Sequence, residues 1–335
     1  MRFIILLVLL DSFFLCIFSG WVDPDTAESH YELKSYVNGE KNVLIFSDEF
    51  NVEGRNFANG MDPRWTAMNK NDYTNFALQY YNEKLITTSN GRLNISTVYK
   101  DITFSTYVGT STTESKMTKN YQSGMVQGWN KFCFTGGIVE VSAKLPGSYN
   151  IGGLWPAIWL LGNLARATYV GSSNNMWPWS YNKCDRALQL SQLISACNVV
   201  NHYNMQPHEG RGAPEVDILE VMPGEEKLVN TPINKPYFSA SYQVAPAIQD
   251  FTPTDGSPPW NMDLWYHNGI SYGTNTSLNI FFYGEDLISP SSPKLNYRAD
   301  AISANHQIGA THFETFHTYR LEWMNGPDGY LNCKH

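Results

Sequence analysis

The segment Glu215-Val216-Asp217-Ile218-Leu219-Glu220 sets three carboxyl groups within six residues. Glu215 and Asp217 are two apart, so on a β-strand both leave from the same face. Glu220 has the opposite parity. A β-bulge at Ile218-Leu219 inserts one extra residue and returns it to the first face, with Val216 and one or both of Ile218 and Leu219 turned inward. Three acids on one sheet face repel one another, a cost that a solvated structural strand has no reason to carry. Glycosidic cleavage needs such a cluster. A retaining mechanism uses two carboxyl groups about 5 to 5.5 Å apart, one attacking the anomeric carbon while the other protonates the departing oxygen. The acid between them, Asp217, can hydrogen-bond the attacking group and help keep one neighbour ionised and the other protonated. A calcium-binding patch is the competing use of such acids, but the Asp/Asn-rich loop with glycine is missing. Acids make up 31 of 335 residues, so three at these positions arise by chance in roughly one such chain in four, and the surrounding sequence has to decide.

The elements that must hold these carboxyls read as short strands separated by turns, with no long helical periodicity. Leu85 to Thr88 and Arg92 to Ser96 flank Ser89-Asn90-Gly91, a hairpin signal because Asn-Gly tolerates positive φ. Between Ile138 and Leu145, Val139, Val141, Ala143 and Leu145 alternate with Glu140, Ser142 and Lys144, giving a buried and a wet face. Further strands are expected at Val43 to Ser47, Pro236 to Val244 and Leu278 to Tyr283. Residues 177–213 break the pattern and read as an inserted loop. The chain is 42% hydrophobic and only 16% charged, with 20 Tyr, 17 Phe and 10 Trp, which excludes disorder and predicts an aromatic-rich core. A net charge of −8 gives no footprint for nucleic acid. Neutral polymers fit better.

Met1-Arg2 followed by an apolar run to Phe18 reads as residues 1–20 forming a secretory signal cut near Ser19-Gly20 or an uncleaved signal anchor, the only route to a membrane that the sequence offers. Residues 21–41 are a lead-in. Acceptor tripeptides for glycosylation stand at Asn94 and Asn275. Outside the leader, Cys133, Cys184, Cys197 and Cys333 suit an oxidising compartment, and a Cys184–Cys197 bridge would staple the inserted loop. None of the four has the paired spacing of a zinc site, and no metal or organic cofactor is expected.

The carboxylate strand, together with Phe46-Ser47-Asp48-Glu49-Phe50, Gly153-Leu154-Trp155-Pro156-Ala157-Ile158-Trp159-Leu160-Leu161 and Phe316-His317-Thr318-Tyr319-Arg320-Leu321-Glu322-Trp323, resembles glycoside hydrolase family 16 in content and order. Asn51 to Arg55, Gly124 to Gly137 and Arg211 to Pro214 are similar to the fungal β-1,6-glucan synthesis-associated branch of that family. The resemblance implies an all-β, concanavalin-like jelly-roll sandwich of two antiparallel sheets over residues 42–335, with a concave glucan cleft. It implies a retaining β-1,3/β-1,6-glucan hydrolase or transglycosylase of the secretory pathway, extracellular, wall-bound or membrane-anchored. A glucan-binding scaffold without turnover is the alternative. It assigns Glu215 as nucleophile, Asp217 as assistant and Glu220 as acid/base. Trp155, Trp159, Trp177 and His317 are candidate sugar contacts, since pyranose rings present C–H faces that stack on aromatics. Family members continue past Tyr330 into further strands, so a domain lacking its C-terminal strands, with unpaired sheet edges, is expected.

Overall fold

The computed structural model describes residues 21–72, 74–107, 113–162, 165, 167–168, 213–227, 233–244, 273–279, 285–288 and 296–335. The leader 1–20, Trp177, Cys184, Cys197 and all of the inserted loop up to residue 212 lie outside them. Cys133 and Cys333 stand unbridged. Among the described residues, no helix is long and apolar enough to cross a membrane. The chain divides into two compact units, Met1–Gly137 and Ile138–His335.

Among the described residues, the first unit holds ten strands. β1 (Glu32–Lys34) pairs with β2 (Lys41–Val43), and β3 (Thr66–Ala67) with β10 (Val126–Gln127). A four-stranded sheet runs β4 (Lys70–Asn71), β5 (Gln79–Tyr81), β9 (Glu114–Ser123), β8 (Val98–Tyr107). The Asn-Gly hairpin is present: β6 (Ile86–Thr88) and β7 (Leu93–Ile95) flank Asn90 at φ 55° and Gly91 at φ 65°. Both turn residues are left-handed, which the two-residue hairpin turn requires. Where a strand over Val43 to Ser47 was expected, pairing ends at Val43. Phe46 leaves the strand pattern to stack against Phe132, 4.8 Å between centroids, and Trp21.

Beside that segment, the Arg55 guanidinium reaches Asp48 Oδ1 at 2.6 Å and Asp62 Oδ2 at 2.8 Å, and both acids are almost wholly buried. It also lies over the Phe50 and Phe57 rings. Burial pushes the Asp48 carboxyl up, but hydrogen bonds from Arg55, the Trp65 indole and the Phe50 amide more than offset this and hold it below its ordinary range. Removing the cation strands two buried anions. Arg55→Ala is expected to destabilise the protein by about 3–5 kcal/mol in urea unfolding. A loss under about 1 kcal/mol would show that the two acids find other partners.

The second unit shows the expected all-β jelly-roll class as two antiparallel sheets packed face to face. One sheet orders β11 (Gly137–Ala143), β18 (His317–Met324) and β19 (Tyr330–Lys334). The other orders β12 (Ala157–Leu161), β13 (Glu215–Met222), β14 (Tyr237–Val244), β17 (Asn296–Gln307) and β15 (Thr276–Leu278), with β16 (Glu285–Ile288) also on β17. The strand expected at Leu278 to Tyr283 begins earlier, at Thr276, and residues 280–283 lie outside the described set. Between the sheets, Val216, Ile218, Leu219, Val221 and Phe238 pack on Tyr319, Leu321 and Phe313. Along β14, Phe238, Ala240 and Tyr242 join this core while Ser239, Ser241 and Gln243 face away, the period of two that exposes one sheet face to chemistry.

Candidate active site

The register of β13 against both neighbours contains the bulge. Asp217 opposes Ser241 and Glu220 opposes Ser239, so three steps on β13 match two on β14. On the other side, Ile158 opposes Leu219 and Trp159 opposes Asp217, so the extra residue is Ile218. Ile218 and Leu219 are 2% and 1% exposed: the core accepts both side chains, and the strand bends rather than expose either. Glu215, Asp217 and Glu220 consequently oppose Gln243, Ser241 and Ser239, three residues of one parity, and the trio shares one face.

Gln243 ties two of the acids together. Its Nε2 donates to Glu215 Oε1 at 2.7 Å and to Asp217 Oδ2 at 2.8 Å. Among the described residues no nitrogen or hydroxyl donor reaches the buried Glu215 Oε2, and Glu215 instead shares a carboxyl–carboxyl hydrogen bond with Asp217. Burial is the first cause that pushes all three carboxyls up. It acts with the Asp217 and Glu220 charges on Glu215, which rises well above its ordinary range. Asp217 rises to about 6, with the Gln243 hydrogen bond opposing the rise. Glu220 rises to about 8 through burial and the Asp217 charge, with a hydrogen bond from Trp155 pulling the other way. Three acids on one dry face cannot all ionise near neutrality, so the cluster holds protons as a unit. Glu220, the least buried of the three, is protonated at pH 7.

Trp155 and Trp159 both border the trio. Trp159 sits opposite Asp217 on the same face, and Trp155 is 51% exposed with its indole on Glu220. His317 is placed elsewhere, on β18, stacked on His312 at 3.8 Å. His312 in turn shares a hydrogen bond with the Tyr319 hydroxyl at 2.8 Å. Of the two glycosylation acceptors, Asn275 is exposed in a left-handed turn, whereas the Asn94 amide donates into its own hairpin at Ser89. Among the described residues, no cluster of His, Cys, Asp and Glu has the form of a metal site. Sequence reasoning missed Gln243, Ser241 and Ser239. Their signal was the same alternation along Pro236 to Val244 that marked the strand.

The chain matches the family model described as "Beta-glucan synthesis-associated protein SKN1/KRE6/Sbg1" over residues 11–333. It is 32% identical to the beta-glucan synthesis-associated protein KRE6 of Candida albicans, over 92% of this chain and 39% of that protein. Identity to the protein SKN1 of the same description in Saccharomyces cerevisiae is 33%, over 92% of this chain and 37% of the relative. The chain spans about two fifths of the length of the curated relatives it matches. Among solved structures, the endo-beta-1,3-glucanase of Pyrococcus furiosus aligns with 91% of this chain and 77% of its own, at 17% identity and a TM-score of 0.44.

Proposed function

We propose, from the premise that this chain belongs to the SKN1/KRE6/Sbg1 family of beta-glucan synthesis-associated proteins, that it cleaves and re-forms β-1,3/β-1,6-glucan linkages by a retaining mechanism in the secretory pathway or at the cell wall. The observation that carries this reading is the bulge that gathers Glu215, Asp217 and Glu220 on one sheet face. In the first step, Glu215 attacks the anomeric carbon, the glycosidic C–O bond breaks, and Glu220 gives its proton to the departing oxygen. Glu220 then takes a proton from water or from an incoming sugar hydroxyl, whose oxygen displaces Glu215. Water makes the outcome hydrolysis and sugar makes it transfer. Asp217, tied to Glu215 through Gln243, holds the nucleophile in place and shares its proton load. Trp155 and Trp159 offer ring faces to the bound sugar.

One observation favours the second reading, a glucan-binding scaffold for glucan assembly. Glu215 itself is held well above the ordinary carboxylate range, and a protonated carboxyl does not attack. The two readings separate when the purified protein is incubated with laminarin and with a β-1,6-glucan and product sizes are followed beside a Glu215→Gln control. Shortened or lengthened chains from the unsubstituted protein alone establish turnover. Glucan binding with unchanged chain lengths in both proteins overturns it in favour of the scaffold.

A further inference from the structure

The row of side chains level with Glu220 continues away from the carboxylates. Glu220 opposes Ser239, Ser239 opposes Asn305, and Asn305 opposes Ser277, so four polar residues stand abreast on β13, β14, β17 and β15. Directly opposed residues share a face, and this face is the one that carries the trio. With strands about 4.8 Å apart, Ser277 lies about 14 Å from Glu220 across the sheet, the width of a short oligosaccharide.

The adjacent row, level with Asp217, is closed on itself. Ser241 and Ser303 share a hydrogen bond at 2.7 Å, and Asn279 Nδ2 donates to Ser303 Oγ at 3.1 Å. The Glu220 row is open. Asn305 is 1% exposed, yet its Oδ1 has no partner among the described residues, and neither has Ser277 Oγ. They place two buried, unmatched oxygens side by side on one face of one sheet. Buried polar atoms are matched almost everywhere in folded proteins, so a concentration of unmatched ones beside a reactive cluster marks atoms whose partners arrive with a ligand. The ligand must bring hydroxyl donors in a row, be uncharged beside three acids, and be long enough to reach from β13 to β15.

We infer that Asn305 and Ser277 form a sugar subsite next to the bond-breaking carboxyls, where hydroxyls of a β-linked glucosyl residue donate to Asn305 Oδ1 and exchange hydrogen bonds with Ser277 Oγ. This rests on the glucan reading above and adds to it the residues that fix a neighbouring sugar ring. The test uses the whole chain in the Glu215→Gln background, which removes turnover, with calorimetric titration of β-1,3-linked and β-1,6-linked glucohexaoses. Asn305→Ala is expected to weaken binding of the preferred hexaose about tenfold, the loss of one buried hydrogen bond to a ligand. Ser277→Thr, which keeps the Asn275 acceptor sequence but adds a methyl group where the hydroxyl must meet sugar, is expected to weaken it comparably. Ser303→Ala, in the closed row and equally buried, is the control and is expected to stay within about twofold. If Asn305→Ala fails to fold, Ser277→Thr decides. Affinity within about twofold in both variants, or an equal loss in Ser303→Ala, overturns the subsite and leaves the glucan reading standing. Failure of the Glu215→Gln parent to bind either hexaose overturns both.

Discussion

Glu215→Gln is expected to lower formation of new glucan products by on the order of 10⁴-fold or more while glucan binding persists. The substitution is nearly isosteric. Its amide oxygen takes the place of Oε1, so the Gln243 donor that now reaches Glu215 at 2.7 Å still has an acceptor. What disappears is the negative oxygen that forms the covalent bond, and no described side chain on this face can replace it. Asp217 is 1% exposed and pinned by the same Gln243 Nε2 at 2.8 Å, too constrained to reach over. The unsubstituted protein should show a bell-shaped rate against pH. Its limbs report the trio titrating together, with Asp217 raised to about 6 and Glu220 to about 8. Chromatographic sizing of laminarin after long incubation checks the first claim. Turnover by Glu215→Gln within tenfold of the parent would remove Glu215 from the nucleophile's role.

The parity argument that located this trio works because it is local: period two, one mismatch, one bulge. The structure puts the extra residue at Ile218, within the two positions that parity allowed. The residues that complete the site are not local. Gln243 meets Asp217 across 26 residues of chain and Asn305 meets Ser239 across 66, and strand pairing at such separations is set by register, which no single strand's pattern contains. The same gap explains His317. It stacks on His312, and His312 meets Tyr319 and His335 only because β18, the end of β19 and the short helix at Thr311–Glu314 come together. The Phe46 to Phe50 motif points the other way. It was legible as a resemblance, but its physical use, Asp48 holding Arg55 with Asp62, depends on an ion pair between loops. Sequence suggested a strand over Val43 to Ser47 that packing of Phe46 against Phe132 overrides.

Glu220→Gln is expected to unfold at a higher temperature than the unsubstituted protein at pH 8, and to lose that advantage as pH falls toward 5. The folded carboxyl titrates at about 8 against an ordinary value of 4.5. Between those values the folded state binds more protons than the unfolded one, so stability falls as pH rises through the window. By pH 8 the penalty amounts to on the order of a few kcal/mol, and the amide, which never ionises, does not incur it. The buried histidines work in the opposite sense. Burial lowers His306 and His312 to about 4 from 6.5, so their contribution is complete above 6.5 and is lost as pH falls toward 4. From pH 6.5 to 8 the folded imidazoles stay neutral and the protonation left on the unfolded ones is common to both proteins, so the difference between the two isolates the carboxyl trio. Within that interval the unsubstituted protein should lose several degrees of melting temperature while Glu220→Gln keeps the smaller slope left by Glu215 and Asp217. Melting curves followed by circular dichroism at half-unit pH steps measure both slopes. Parallel curves for the two proteins would mean that Glu220 ionises freely in the folded state, and a freely ionised Glu220 has no proton at pH 7 to give a departing sugar.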